Sequence, residues 1–127
     1  MDIIKAENTI LVIEDVLENS MFLSFVLKRD GYTVVETDSG EQACEWLNTH
    51  RPILILCDVM LPGMDGFEVL RHIKTLDHLS SVPSIAVTAL ALPGDKEKLL
   101  SAGFTDYIAK PTLVKPLLEL VKRALST

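Results

Sequence analysis

Asp58, Thr88 and Lys110 each close a short apolar run: Ile53 to Cys57, Ser84 to Val87, and Tyr107 to Ala109. A fourth run, Ile10 to Ile13, ends in two acids, Glu14 and Asp15. A carboxylate can attack phosphorus, a hydroxyl and an ammonium can hold phosphoryl oxygens, and two further carboxylates can hold a metal. Carboxylates about 4 Å apart repel by roughly 4 kcal/mol per pair at an effective dielectric near 20. They stay ionised together only when a cation joins them, and oxygen-only ligands select a hard ion such as Mg2+. Such an ion neutralises an incoming phosphoryl group while a neighbouring carboxylate attacks it. The residue types therefore fit phosphoryl transfer onto Asp58, provided that the chain gathers all five groups in one place.

Runs this apolar read as strands covered on both faces, as in a parallel sheet between helices. In such a sheet every strand points the same way, so the polar endings collect along the carboxyl edge, where open α/β sheets bind ligands. The stretches between the strands read as helices. Leu17 to Asp30 carries Met21, Phe22, Phe25, Val26 and Leu27 at helical spacing, and Gly31 follows as a left-handed stop. Thr33 to Thr37 is a further strand, and Ser39 with Gln42 forms a capping box for a helix that runs to about Asn48. Phe67, Leu70, Ile73 and Lys74 fall on a third helix, and Leu99, Leu100 and Ala102 on a fourth stopped by Gly103. Pro116 suits the first turn of a last helix ending near Leu125. Repeated βα units imply right-handed crossovers and helices on both faces of the sheet. The expected architecture is α/β, a five-stranded parallel sheet of order 2-1-3-4-5, and that order places Glu14 and Asp15 beside Asp58.

Composition narrows the function. The chain has 127 residues, enough for one domain with its own core. Its net charge of −6 argues against unaided binding to a phosphate backbone, so no direct nucleic-acid contact is expected. No segment has the ~18 uninterrupted apolar residues of a membrane span, and the start lacks the pattern of a secretory signal. Cys44 and Cys57 read as small core residues kept reduced, which fits a cytoplasmic protein. His50, His72 and His78 share no metal-ligand spacing and read as surface residues.

Four segments in order carry a resemblance: Glu14-Asp15; Asp58 with Met60-Leu61-Pro62-Gly63-Met64-Asp65-Gly66; Thr88-Ala89; and Tyr107 through Lys110-Pro111. Together they resemble the receiver domain of response regulators in two-component signalling, with a flavodoxin-like fold, over nearly everything from Ile10 to Leu125. The resemblance implies Asp58 as phosphoacceptor, Asp15 as a direct ligand of Mg2+, Glu14 as a partner acting through water, and Met60 as a backbone carbonyl ligand. It implies Thr88 and Lys110 as the groups that follow the phosphoryl, Tyr107 as the aromatic that reports the state of Thr88, and a cis bond before Pro111.

The same resemblance implies a histidine kinase or phosphotransfer protein as donor and a downstream protein as target. A partner face would include Leu90, Leu92 and Tyr107, with Lys96 and Lys98 ringing the two leucines. Winged-helix regulators often carry a double acid before the aromatic, used in dimer contacts. Thr105-Asp106 stands here instead, so a monomer or a weak phosphorylation-dependent dimer is expected. One receiver domain over residues 1–127, with a core of about 9–125 and no output domain, is expected. A receiver cut from a longer hybrid kinase or transcription factor is the alternative. An aspartyl-phosphate phosphatase is a weaker one, because that chemistry needs an acid two residues past the nucleophile and Met60 stands there.

Overall fold

The computed structural model describes residues 2–89 and 92–126. Seven strands and five helices run in the order β1 (Ile4–Lys5), β2 (Thr9–Ile13), α1 (Leu17–Arg29), β3 (Thr33–Thr37), α2 (Gly40–Leu47), β4 (His50–Arg51), β5 (Leu54–Asp58), α3 (Gly66–Lys74), β6 (Ser84–Thr88), α4 (Asp95–Ala102), β7 (Asp106–Ala109) and α5 (Val114–Leu125). A single 3-10 turn, Asp77–Leu79, joins α3 to β6. The main sheet is parallel throughout and ordered β3-β2-β5-β6-β7, which is the expected 2-1-3-4-5. The short pair β1-β4 is an addition that two-residue strands are too brief to signal in sequence.

Alternation along the strands builds two cores. Ile10, Val12, Leu54, Leu56, Ile85 and Val87 face α1 and α5, while Leu11, Ile13, Ile55, Cys57 and Ala86 face α2, α3 and α4. Each fully buried aliphatic side chain contributes about 1.5–3 kcal/mol, so two-sided burial accounts for unbroken apolar strands. Helix ends follow local chemistry. Gly31 at φ 100° ends α1, and Asp65 with Glu68 forms a reciprocal capping box at the start of α3. The box expected at α2 is shifted by one residue: Ser39 Oγ accepts from the Gln42 N–H at 3.1 Å, but Gln42 Oε1 accepts from the Asp38 N–H at 2.8 Å.

Two expectations change. The histidines are not idle surface residues. α2 has no basic residue in its last turn, and three imidazoles from neighbouring elements reach its end. His50 Nδ1 lies 3.0 Å from the Trp46 carbonyl, His78 Nε2 2.7 Å from the Leu47 carbonyl, and His72 Nε2 2.7 Å from Asn48 Oδ1. Helix C-terminal carbonyls lack intrahelical donors, so ring N–H groups complete them. The second change concerns α1, whose inward face is Ser20, Leu23, Ser24, Val26 and Leu27. Met21 and Phe25, grouped with the core residues by spacing alone, are 58% and 64% exposed.

Candidate functional site

Asp58 is the last residue of β5, and Glu14 and Asp15 follow directly on β2, its parallel neighbour. Glu14 and Asp58 are buried, at 2% and 4% exposure, and Asp15 faces solvent. One oxygen from each of the three lies within 4.8 Å of the others. Lys110, one residue past β7, spans the edge: its Nζ is 2.9 Å from Asp58 Oδ2 and 2.9 Å from Glu14 Oε1. Asp58 Oδ2 accepts a hydrogen bond from that ammonium. The Glu14 approach is a charge contact, and Oε1 is left without a hydrogen bond. The other oxygens are held by backbone: Asp58 Oδ1 accepts from the Met60 N–H at 3.0 Å, and Glu14 Oε2 from the Val16 N–H at 3.2 Å.

Thr88 ends β6 fully buried at the same edge, and its carbonyl accepts the Lys110 N–H at 2.8 Å, tying the end of β7 to β6. The bond between Lys110 and Pro111 is cis. Tyr107 pairs in register with Ala86 and packs, half-buried, against the core on the α2-α3-α4 side. The sheet order thus gathers Glu14, Asp15, Asp58, Thr88 and Lys110 as spacing required. The expected partner face fares differently. Leu92 is 73% exposed, whereas Leu90 lies outside the described residues. Lys98 does not ring that patch, because its Nζ sits 5.5 Å over the Phe67 ring and joins α4 to α3. The backbone donors from Met60 and Val16 were not legible as site residues, since main-chain groups carry no sequence signal.

Charge is uneven across the cluster. Burial, reinforced by Asp58, raises Glu14 above the usual carboxylate range in spite of Lys110 and the Val16 N–H. Burial also works against the Lys110 ammonium, but the bonds and charges of Glu14 and Asp58 outweigh it and hold Lys110 above the usual lysine range. A raised folded-state value means that Glu14 favours the fold when protonated. That contribution is present below the unfolded carboxylate value and is lost as pH rises through the folded one. At neutral pH an ionised Glu14 therefore opposes folding. Glu14→Gln, melted in chelator, is expected to have a higher Tm than wild type at pH 7, with the difference closing towards pH 4. A lower Tm at pH 7 would refute this. Both cysteines are protonated core residues, their thiols pushed up by burial.

With this geometry in place, the chain can be set beside known proteins. Residues 10–122 match the response regulator receiver domain. The chain belongs to that family and is a receiver domain of two-component signalling. It is 36% identical over 114 residues to the polar-differentiation response regulator DivK of Brucella anthropi, which covers 90% of this chain and 93% of that protein. The receiver domain of the sensor histidine kinase PA1611 from Pseudomonas aeruginosa, solved with a magnesium ion coordinated in its active-site cleft, superposes with a TM-score of 0.86 at 36% identity and covers 94% of this chain and 98% of its own. The chemotaxis response regulator CheY4 of Vibrio cholerae gives a TM-score of 0.87 at 26% identity, covering 92% and 98%. The family is one of phosphoacceptors that work with histidine kinases and downstream targets. No helix among the described residues is long and apolar enough to cross a membrane.

Proposed function

We propose that Asp58 is the phosphoacceptor of a single-domain response regulator and that Lys110 and Thr88 receive the phosphoryl group. The observation that carries this reading is the Lys110 bridge, 2.9 Å to Asp58 and 2.9 Å to Glu14, at the carboxyl edge of the sheet. A carboxylate on this edge faces a donor from outside. It attacks phosphorus through one oxygen, the bond from phosphorus to the donor's nitrogen or oxygen breaks, and the donor leaves with that electron pair. Lys110 is close enough to the acceptor to pair with the oxygens that arrive, and the Met60 N–H fixes the carboxylate's orientation.

The donor set suits Mg2+. It is oxygen-only, and Glu14 Oε1 is a buried anionic oxygen with no hydrogen bond. A cavity of about 500 Å3 opens beside Glu14 and Asp15, with Ser20, Glu36 and Asp38 on its wall, and gives room for a hydrated ion. Asp15 and Asp58 would hold the metal directly, with Glu14 behind a water and the Met60 carbonyl completing the set. When bound, the ion supplies positive charge against the phosphoryl oxygens. Incubation with acetyl phosphate tests the reading: uptake is expected with Mg2+ and is expected to vanish in excess chelator. Uptake that persists in chelator would overturn the metal's part in it.

Phosphorylation adds about −1.5 to −2 of charge. Thr88 and Lys110 move towards it, Tyr107 fills the space released, and the face of α4, β7 and α5 repacks for a protein partner. Thr88→Ala is therefore expected to be phosphorylated to nearly the wild-type extent but to switch poorly. NMR shifts around Tyr107 that change equally in both proteins would refute this. We also assign the chain to the cytoplasm as a regulator acting on its own. A second reading, a receiver inside a longer histidine kinase, rests on the 36% identity to the PA1611 receiver. The size of the native gene product on an immunoblot separates the two.

A further inference from the structure

We propose that the outer face of α1, with the start of α5, is the surface through which two copies of this chain pair. Leu17, Met21 and Phe25 stand four residues apart on that face and are 67%, 58% and 64% exposed. Val16 and Phe22 flank them at 41% and 38%, and Leu113 and Val114 extend the patch at 62% and 47%. Half-exposed side chains of this size offer about 100 Å2 each. The patch therefore reaches roughly 700 Å2 per copy, close to the ~800 Å2 per partner of a standard interface and above what monomers usually leave bare.

Its form is self-complementary. Residues four apart make a ridge, and two such ridges interdigitate in the commonest class of helix crossing. A two-fold axis near Met21 sets Leu17 of one copy against Phe25 of the other, as an isologous contact requires. The antiparallel arrangement brings the acidic start of α1, at Glu18, towards the basic end, Lys28 and Arg29, of the second copy. Phe25 also borders a groove of about 280 Å3 between α1 and α5, where Val114 and Leu118 supply an apolar wall and Arg29 and Asp30 a charge of each sign. A lipid surface fits less well, because a net charge of −6 opposes anionic headgroups. The proposal does not depend on the phosphoacceptor reading.

Sedimentation of the full chain from about 10 µM to 1 mM tests it, a range suited to weak association. The wild type is expected to pass from monomer to dimer, and Phe25→Glu and Met21→Lys are each expected to move that transition at least tenfold higher in concentration. Both positions are exposed, so circular dichroism should remain as in wild type. Leu92→Ser, on the α4 side, should leave the transition in place. Met21→Cys should form a disulfide-linked dimer on oxidation, while wild type, with its two cysteines buried, should not. A wild type that stays monomeric overturns the proposal, as does association that survives Phe25→Glu or is lost in Leu92→Ser. A monomeric wild type whose phosphotransfer from a histidine-bearing partner fails in Phe25→Glu would assign the face to that partner instead.

Discussion

Asp58→Asn is expected to abolish phosphoryl uptake from acetyl phosphate, leaving the intact mass unchanged under conditions that label wild type. Asparagine keeps the size of the side chain and its place at the end of β5, but an amide is not a nucleophile towards phosphorus. The fold should survive. The substitution removes one carboxylate from a crowded acidic cluster, and Lys110 keeps Glu14 as its partner. A protein that melts near the wild-type temperature and yet takes up no phosphate locates the chemistry at this atom. Undiminished labelling of the variant would move the acceptor to another carboxylate and sink the assignment.

Gly66→Ala is expected to have the largest effect on stability. A methyl group at residue 66 would stand 2.6 Å from Val59 Cα and 2.8 Å from the Asp58 carbonyl oxygen. Both are backbone atoms of the segment that carries the acceptor, so no side chain can rotate out of the way. Overpacking of this kind costs about 2–3 kcal/mol, equivalent to a fall of roughly 6–15 °C in Tm for a domain of this size. Because the displaced atoms belong to Asp58 and Val59, the rate of phosphoryl uptake should fall as well. An unchanged melting curve would show that the strand end yields more readily than its packing indicates.

Much of this was legible in sequence, for identifiable reasons. Asp58, Thr88 and Lys110 stood out because each is a lone polar group at the end of a run buried on both sides, and parallel topology fixes which edge such endings reach. Strand order came from resemblance; nothing in periodicity distinguishes 2-1-3-4-5 from another doubly wound order. Periodicity failed on α1, where Met21 and Phe25 lie at helical spacing but on the solvent side, because spacing marks a face without saying which way it points. The histidines eluded the reading because their partners, at Trp46, Leu47 and Asn48, are brought near by the chain's return from α3. Lys98 was misplaced for the same reason: the ring beneath it belongs to another helix.

The glycine seat at α3 also sets the direction in which a disturbance at Asp58 can travel. On one flank the acceptor strand abuts Gly66, whose N–H bonds Val59 O at 2.9 Å, and α3 anchors itself inward through Val69, Leu70 and Ile73. That flank is a stiff wall. On the other flank α4 commits a single buried residue, Leu99, and a cation resting on an aromatic ring. That flank is the compliant one. Charge placed on Asp58 pushes against both, and displacement goes where resistance is least. The molecule acts as a lever with its fulcrum at α3 and its free arm at α4, so its output has a direction before any partner arrives to read it.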